Sequence, residues 1–173
     1  MPPSPEDRSF CDPGERSSIL AEHLEGAPKI AVFRRMALTG SAETNDISLR
    51  IIQAGIEVHR YLGPGLLESP YVECLAFELR ARGIRFERQV KIPIVYKGVR
   101  LEYGFRMDLV VENRVVVEVK AVAEILEVHR CQLLTYLRFS GLPVGLVLNF
   151  NVPLLKAGIA RVVNEGHGPL LPL

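Results

Sequence analysis

The stretch VRLEYGFRMDLVVENRVVVEVK, residues 99 to 120, decides the fold of this chain. From Val99 to Val111 every odd-numbered residue is apolar, whereas the residues between them are mostly charged. Because side chains alternate between the two faces of a β-strand, this period of two predicts a long strand with one apolar face. The valine-rich run at residues 114 to 120 predicts a second strand, since β-branched residues favour strands. A short turn would join the two strands.

The residues before this stretch predict a further strand and two helices. Apolar residues alternate between positions 90 and 96, which predicts a strand and makes the three strands an antiparallel meander. Helical spacing predicts one helix capped by Asn45 or Asp46 and a second helix that begins near Ser69. The side chains that we expect this second helix to turn inward are Cys74, Leu75, Phe77 and Leu79.

The residues after the meander predict a helix and a buried strand. Residues 124 to 140 have a helical pattern, and PVGLVLNF at 143 to 150 is a continuous apolar run, typical of a strand covered on both faces. The chain after Pro153 favours a short strand or a helix, without deciding between them. A strand–helix–strand crossover after a meander gives an α/β fold with a mixed sheet: a three-strand antiparallel meander, a crossover helix and a parallel strand, flanked by helices.

Composition divides the chain into three parts. Residues 1 to 45 hold five of the twelve prolines and show no sustained periodicity, so we expect a poorly ordered extension. Residues 46 to 165 form the predicted domain, and residues 166 to 173 a tail.

The overall composition, 48% hydrophobic and 24% charged, is ordinary for a globular protein. No apolar run approaches the roughly 18 residues that span a bilayer, so we expect no membrane partner. The N-terminus has no apolar core of a secretory signal, and the cysteines show no CxxC metal-binding spacing. We therefore expect a cytoplasmic protein.

Positive charge is concentrated in one segment, although the formal net charge is only +1. Between residues 78 and 106 there are eight basic residues against three acidic ones. Local patches of this kind bind phosphate backbones, so the segment indicates nucleic-acid binding, with solvated strand and helix faces as the alternative. The residues that we expect to contact nucleic acid are Arg80, Arg82, Arg85, Arg88, Arg100 and Arg106.

Asp108, Glu118 and Lys120 are the candidate catalytic residues. Glu118 and Lys120 share one face of their strand, and Asp108 lies on the non-core face of the preceding strand. Two close carboxylates repel each other unless a cation lies between them, and carboxylate oxygens suit Mg²⁺ or Mn²⁺. The alternative is an ordinary cross-strand salt bridge on the surface.

The hydrophobic register predicts how the two strands pair. A three-residue connection, residues 112 to 114, pairs Val111 with Val115 and therefore places Asp108 opposite Glu118. A two-residue connection would send these carboxylates to opposite faces. Because Asn113 tolerates the left-handed conformation that three-residue loops often need, we predict the odd loop.

Recognisable motifs run through the chain: GLLESPY at residues 65 to 71, RMDLVV at 106 to 111, VVVEVKAV at 115 to 122, QLLTYL at 132 to 137 and LVLNFNVPLLK at 146 to 156. With them, residues 47 to 164 resemble the GxxExxY family, a branch of the PD-(D/E)XK nuclease superfamily. Gln132 and Tyr136 are similar to the QxxxY helix signature of RecB-type nucleases. Met107 stands where the superfamily has a proline, which is a mild departure.

The resemblance implies a restriction-endonuclease-like core with a Mg²⁺ or Mn²⁺ site. Asp108 and Glu118 would be direct metal ligands, Glu68 a further carboxylate near the metal, and Lys120 the catalytic lysine. Gln132 and Tyr136 would face the site. Each of these residues also has a structural interpretation. Glu68 would complement the dipole of the helix that follows it, and Gln132 and Tyr136 would form a half-buried hydrogen-bonded pair.

These observations favour a Mg²⁺-dependent nuclease that hydrolyses phosphodiester bonds in DNA. The alternative is a catalytically silent nuclease-like module that binds nucleic acid, and a third interpretation is a structural oligomerisation domain. Because no separate sequence-reading motif is present, a protein partner that supplies targeting is one possibility. The oligomeric state stays open at this stage.

Overall fold

The structure is a computed structural model that describes residues 41–97 and 99–165, with side chains for all of these except 95, 96 and 100–103. The predicted tail and most of the predicted extension lie outside the described residues. The helices are α1 Ala42–Leu62, α2 Glu68–Ala81 and α3 Glu127–Ser140, with a short 3-10 helix at Leu155–Gly158. The strands are β1 Phe86–Tyr96, β2 Val99–Val111, β3 Val115–Lys120, β4 Val144–Asn149 and β5 Ile159–Val163.

The five strands form one mixed sheet in the order β1-β2-β3-β4-β5. The first three strands pair antiparallel, β3 and β4 pair parallel across the α3 crossover, and β4 and β5 pair antiparallel. The predicted α/β class and mixed sheet are therefore confirmed. The segment after Pro153, which the sequence left undecided, forms both the 3-10 helix and the edge strand β5.

Helices cover both faces of the sheet. A Cβ on Gly55 of α1 would lie 3.4 Å from Leu148, whereas a Cβ on Gly145 would lie 2.6 Å from Leu133 of α3. Because positions 145 and 148 of β4 point to opposite faces, α1 and α3 pack on opposite sides. The contact at Gly145 is also too close for any larger residue, so this glycine allows α3 to approach the sheet.

The two N-terminal helices begin earlier than predicted. Ser41 caps α1, because its Oγ accepts a hydrogen bond from Thr44 N at 3.2 Å, so the predicted cap at Asn45 or Asp46 is wrong. In α2 the buried residues are Tyr71, Val72, Leu75, Ala76 and Leu79. Phe77, which we expected to face inward, is 65% exposed because it lies about 200° around the helix from Leu75.

No helix within the described residues combines the length and the apolar character needed to cross a membrane.

Candidate active site

The connection between β2 and β3 sets the geometry of the site. It spans residues 112 to 114, with Val111 paired to Val115 and the Arg114 N–H donating to the Val111 carbonyl at 3.0 Å. Asn113 (φ 51°) is left-handed, and so is Glu112 (φ 50°). The predicted odd loop and its register are confirmed.

Glu112 holds this turn against the start of β1. Its backbone N–H donates to the Arg85 carbonyl at 2.9 Å, and its carboxylate accepts from Arg85 N at 2.9 Å and from Arg85 Nε at 3.0 Å. These three hydrogen bonds offset the cost of a left-handed backbone at a residue other than glycine.

Asp108 lies where β2 parts from β3. The regular pairing of β2 with β3 covers residues 109 to 111 of β2. Asp108, the residue just before this paired stretch, bonds to β3 through its side chain. Asp108 Oδ2 accepts a hydrogen bond from Val119 N at 3.0 Å, and Asp108 N approaches Glu118 Oε1 at 3.4 Å. The fork between the two strands thus brings the two predicted carboxylates together.

Glu118 is almost completely buried, with 4% of its surface exposed. Burial and the nearby Asp108 carboxylate raise its pKa, the Lys120 ammonium lowers it, and the net result is a pKa of about 7. Lys120 Nζ lies 3.6 Å from Glu118 Oε2. The sequence placed Glu118 on the face opposite the valines of β3, and that face is covered as well because α3 packs over it.

Tyr136 of α3 closes the site from above. It is 4% exposed, and Gln132 Nε2 donates a hydrogen bond to its hydroxyl at 2.8 Å. Burial raises the Tyr136 pKa, and the Glu118 and Asp108 carboxylates raise it further. The Tyr136 hydroxyl therefore interacts electrostatically with both carboxylates, as expected for a side chain that faces them.

Two polar residues near the site were missed from the sequence. Gln89 of β1 donates from Nε2 to Asp108 Oδ1 at 3.4 Å, and its backbone is left-handed (φ 52°). Asn149 pairs in register with Lys120 and holds the loop that follows β3. The Asn149 side chain accepts a hydrogen bond from Val122 N at 3.0 Å and donates one to the Val122 carbonyl at 2.8 Å. Residue 89 lies opposite residue 108 because the register shifts between Ile92 and Ile94, so no local pattern in the sequence signals the first.

Glu68 is exposed at the start of α2. The described residues contain no group of three or more His, Cys, Asp or Glu side chains suited to a metal ion. The structure therefore brings Asp108 and Glu118 together without Glu68 as a third member of such a group.

Tyr71, three residues after Glu68, has a structural role. Its side chain is fully buried, and its hydroxyl donates to the Gly63 carbonyl at 2.7 Å and accepts from Leu66 N at 3.2 Å. Its ring stacks on Phe150 with 4.4 Å between centroids. These contacts fix the loop that leads into α2, and they explain why a tyrosine follows the loop at this spacing.

Most of the arginines in the predicted binding patch have partners within the protein. Arg82 pairs with Glu78 and Arg85 with Glu112, each at 2.9 Å, and Arg88 forms an ion pair with Glu73. Arg80 lies over the Phe86 ring, 5.6 Å from its centroid. Arg106 is exposed, and the Arg100 side chain lies outside the described ones. The patch is thus less positive than the sequence suggested.

Comparison with known proteins agrees with this geometry. A family model described as the PD-(D/E)XK nuclease superfamily matches residues 45–162. The chain therefore belongs to the PD-(D/E)XK nuclease superfamily. Neither the curated proteins nor the solved structures include a match to this chain.

Nucleases of this superfamily generally use divalent metal ions, and the donor set at the fork fits such an ion. Asp108 and Glu118 place two carboxylates in a region with little water, where the Lys120 ammonium offsets part of their repulsion. Mg²⁺ is commonly bound by one or two carboxylates, with waters and substrate phosphate oxygens completing the coordination. Two protein carboxylates are therefore sufficient.

Proposed function

We propose that this protein is a metal-dependent nuclease that uses Mg²⁺ or Mn²⁺ to hydrolyse phosphodiester bonds in DNA. The observation that carries the proposal is the contact between Asp108 and Glu118 at the β2–β3 fork, with Lys120 beside them. A protein that needed only a stable sheet would gain more from an apolar residue in place of the buried Glu118.

Within the superfamily we assign the chain to the GxxExxY branch. Gly65, Glu68 and Tyr71 supply the spacing of that motif, and Gln132 and Tyr136 supply that of the RecB-type QxxxY helix. The positive φ of Gly65 (104°) supports the assignment, because the loop needs a glycine there. The hydrogen bond between Gln132 and Tyr136 supports the second motif as a unit of α3.

Asp108 and Glu118 would hold the metal ion. When bound, the ion supplies Lewis-acid activation of the phosphoryl group and lowers the pKa of a bound water. Asp108 Oδ2 already accepts from Val119 N, so the oxygen directed at Gln89, Oδ1, is the better placed donor.

The protein's own side chains would orient the reactants. Lys120 presents an ammonium that can donate a hydrogen bond to a phosphate oxygen and offset the negative charge that develops there. The Gln132 amide fixes the position of the Tyr136 hydroxyl, which covers the carboxylates and limits the entry of water. Gln89 and the Val119 N–H hold the two oxygens of Asp108 in place.

We further propose that Glu68 acts from the substrate side of the site. It lies at the start of α2 after a loop that Tyr71 tethers, so its position is fixed although it is exposed. An exposed carboxylate of this kind would contribute through a water or the substrate rather than as a direct ligand.

The second candidate function is a nuclease-like module that binds nucleic acid without cleaving it. The Lys120–Glu118 ion pair favours this candidate, because it already neutralises part of the charge that would hold a metal.

A cleavage assay tests the proposal. The purified full chain would be incubated with end-labelled DNA and RNA oligonucleotides in Mg²⁺, in Mn²⁺ or in EDTA. We expect cleavage of DNA that depends on the metal and is lost in EDTA. Cleavage of RNA alone would refute the DNA assignment, and binding without cleavage under all conditions would favour the second candidate.

The control for contaminating nucleases is Lys120→Ala, purified in the same way. Its side chain is partly exposed and its loss leaves the carboxylate pair in place. Equal cleavage by this variant and by the parent would show that the activity does not come from this site.

A further inference from the structure

Two like charges face each other directly on the β1–β2 hairpin. Lys91 pairs in register with Arg106, and both side chains are exposed. Within the part of the chain that the structure describes, neither side chain forms an ion pair or a hydrogen bond. Like charges directly opposite each other destabilise a strand pair, so this arrangement costs stability unless an anion lies between them.

Three other arginines of this basic segment, Arg82, Arg85 and Arg88, each have a carboxylate partner, which lowers their attraction for phosphate. Arg80 lies over the Phe86 ring instead. Lys91 and Arg106 differ from all four, because they place two positive charges directly opposite each other with no carboxylate partner among the described side chains.

This cationic pair lies next to the candidate active site. Arg106 is two residues from Asp108 on β2, so the two positions lie about 7 Å apart along the strand. Lys91 is two residues from Gln89, whose amide bonds to Asp108. Ile92, Met107 and their neighbours in the same hairpin pack against α3. Lys91 and Arg106 alternate with these residues along the strands, so both cations point away from α3 and the core.

We propose that Lys91 and Arg106 bind the phosphate backbone of the nucleic-acid strand beside the bond to be cleaved. This inference rests on the proposed nuclease function and names the surface that holds its substrate. A phosphate between the two side chains would remove their mutual repulsion. The strand would then follow the hairpin toward Asp108, and the contact would be independent of base sequence.

The test is a binding titration of fluorescein-labelled DNA, single- and double-stranded, followed by anisotropy in EDTA over a series of salt concentrations. The test variant is Lys91→Gln/Arg106→Gln. The matched control is Arg82→Gln/Arg88→Gln, which removes the same charge from paired positions in the same segment. All variants are full-length, and circular dichroism checks that each is folded.

We expect the Lys91→Gln/Arg106→Gln protein to bind about tenfold or more weakly than the parent at moderate salt, with a salt dependence shallower by about two units of slope. The control should stay within about threefold of the parent. The inference is overturned if the control loses as much affinity as the test variant, if the test variant binds like the parent, or if the parent does not bind DNA.

The two proposals fail separately. Because EDTA prevents metal-dependent cleavage, the titration measures binding alone. A parent that never cleaves DNA but loses affinity in Lys91→Gln/Arg106→Gln would contradict the nuclease proposal and support the binding surface. A parent that cleaves DNA, together with a test variant of unchanged affinity, would support the nuclease proposal and contradict the binding surface.

Discussion

The two faces of β3 are equally buried and chemically opposite. Val115, Val117 and Val119 point toward α1 and α2 and are fully buried. On the other face, beneath α3, Glu118 is 4% exposed and Lys120 lies beside it. One strand therefore carries a purely apolar contact on one side and a desolvated charged group on the other.

This difference separates what the strand does for stability from what it does for function. Burial of valine side chains stabilises the fold, by roughly 0.8 kcal/mol for each methylene removed from water. Burial of a carboxylate costs free energy, and Lys120 offsets only part of that cost, since the pKa of Glu118 is raised to about 7. Substitutions on the two faces should therefore have opposite consequences.

The largest expected effect is the loss of cleavage on the α3 face. Asp108→Asn or Glu118→Gln should lower the cleavage rate by a factor of about 10³, because each removes a charge that the reaction needs, while the fold stays intact. Single-turnover kinetics with labelled DNA measures this. Glu87→Gln, an exposed carboxylate of β1, is the control. A variant at Asp108 that cleaves as fast as this control would exclude the site.

The second prediction concerns pH and the metal-free protein. The Glu118 pKa is about 7 in the folded chain against an ordinary value of 4.5, so the folded form binds a proton that the unfolded form has lost between these values. The stabilisation from this group is full below pH 4.5 and is lost as the pH rises through 7. The difference amounts to at most about 3 kcal/mol.

Urea unfolding in EDTA across this pH range measures that change. Glu118→Gln removes the titrating group, so its stability should decrease less with pH than that of the parent. If the parent and this variant show the same dependence on pH, another group is responsible, and Glu118 is not held in a desolvated state.

The third prediction concerns the apolar face. Val117→Ala should lower the free energy of unfolding by about 2 kcal/mol, because it removes two buried methyl groups and leaves a cavity. Cleavage at a temperature where the variant is folded should be unchanged. Differential scanning calorimetry together with the cleavage assay tests both parts. A loss of activity in the fully folded variant would show that the two faces of β3 are coupled.

The smallest expected effect is at Glu68. Glu68→Gln should reduce cleavage by about tenfold without changing stability, because an exposed residue that acts through water or substrate contributes less than a direct ligand. Comparison of its rate with that of Asp108→Asn decides its role. An equally complete loss of activity would make Glu68 a direct ligand instead.

Much of the fold could be predicted because the hydrophobic pattern was unusually regular. The alternation from Val99 to Val111 gave the bounds of β2 as the structure has them. The same parity favoured the three-residue loop and the Val111–Val115 pairing, which place Asp108 near Glu118. Register follows from local sequence here, because a shift of one residue would turn Val115, Val117 and Val119 away from the α1 and α2 side of the sheet and place Glu118 there.

The features that could not be predicted depend on contacts between distant residues. Glu73 and Arg88 are 15 residues apart, and Arg85 and Glu112 are 27 apart, so no local pattern signals that these arginines are paired. The burial of Glu118 likewise depends on how closely α3 approaches at Gly145. The start of α1 was missed because several residues in a row are good helix caps, and only the structure selects Ser41.

The most direct test of the account is whether Asp108 and Glu118 form one metal site. Mn²⁺ would be titrated into the parent, Asp108→Asn, Glu118→Gln and the Glu87→Gln control without nucleic acid, with binding followed by water proton relaxation. We expect one Mn²⁺ site that is present in the parent and in Glu87→Gln and lost in Asp108→Asn and in Glu118→Gln. Mn²⁺ binding that survives both of these substitutions would contradict a metal site at the β2–β3 fork.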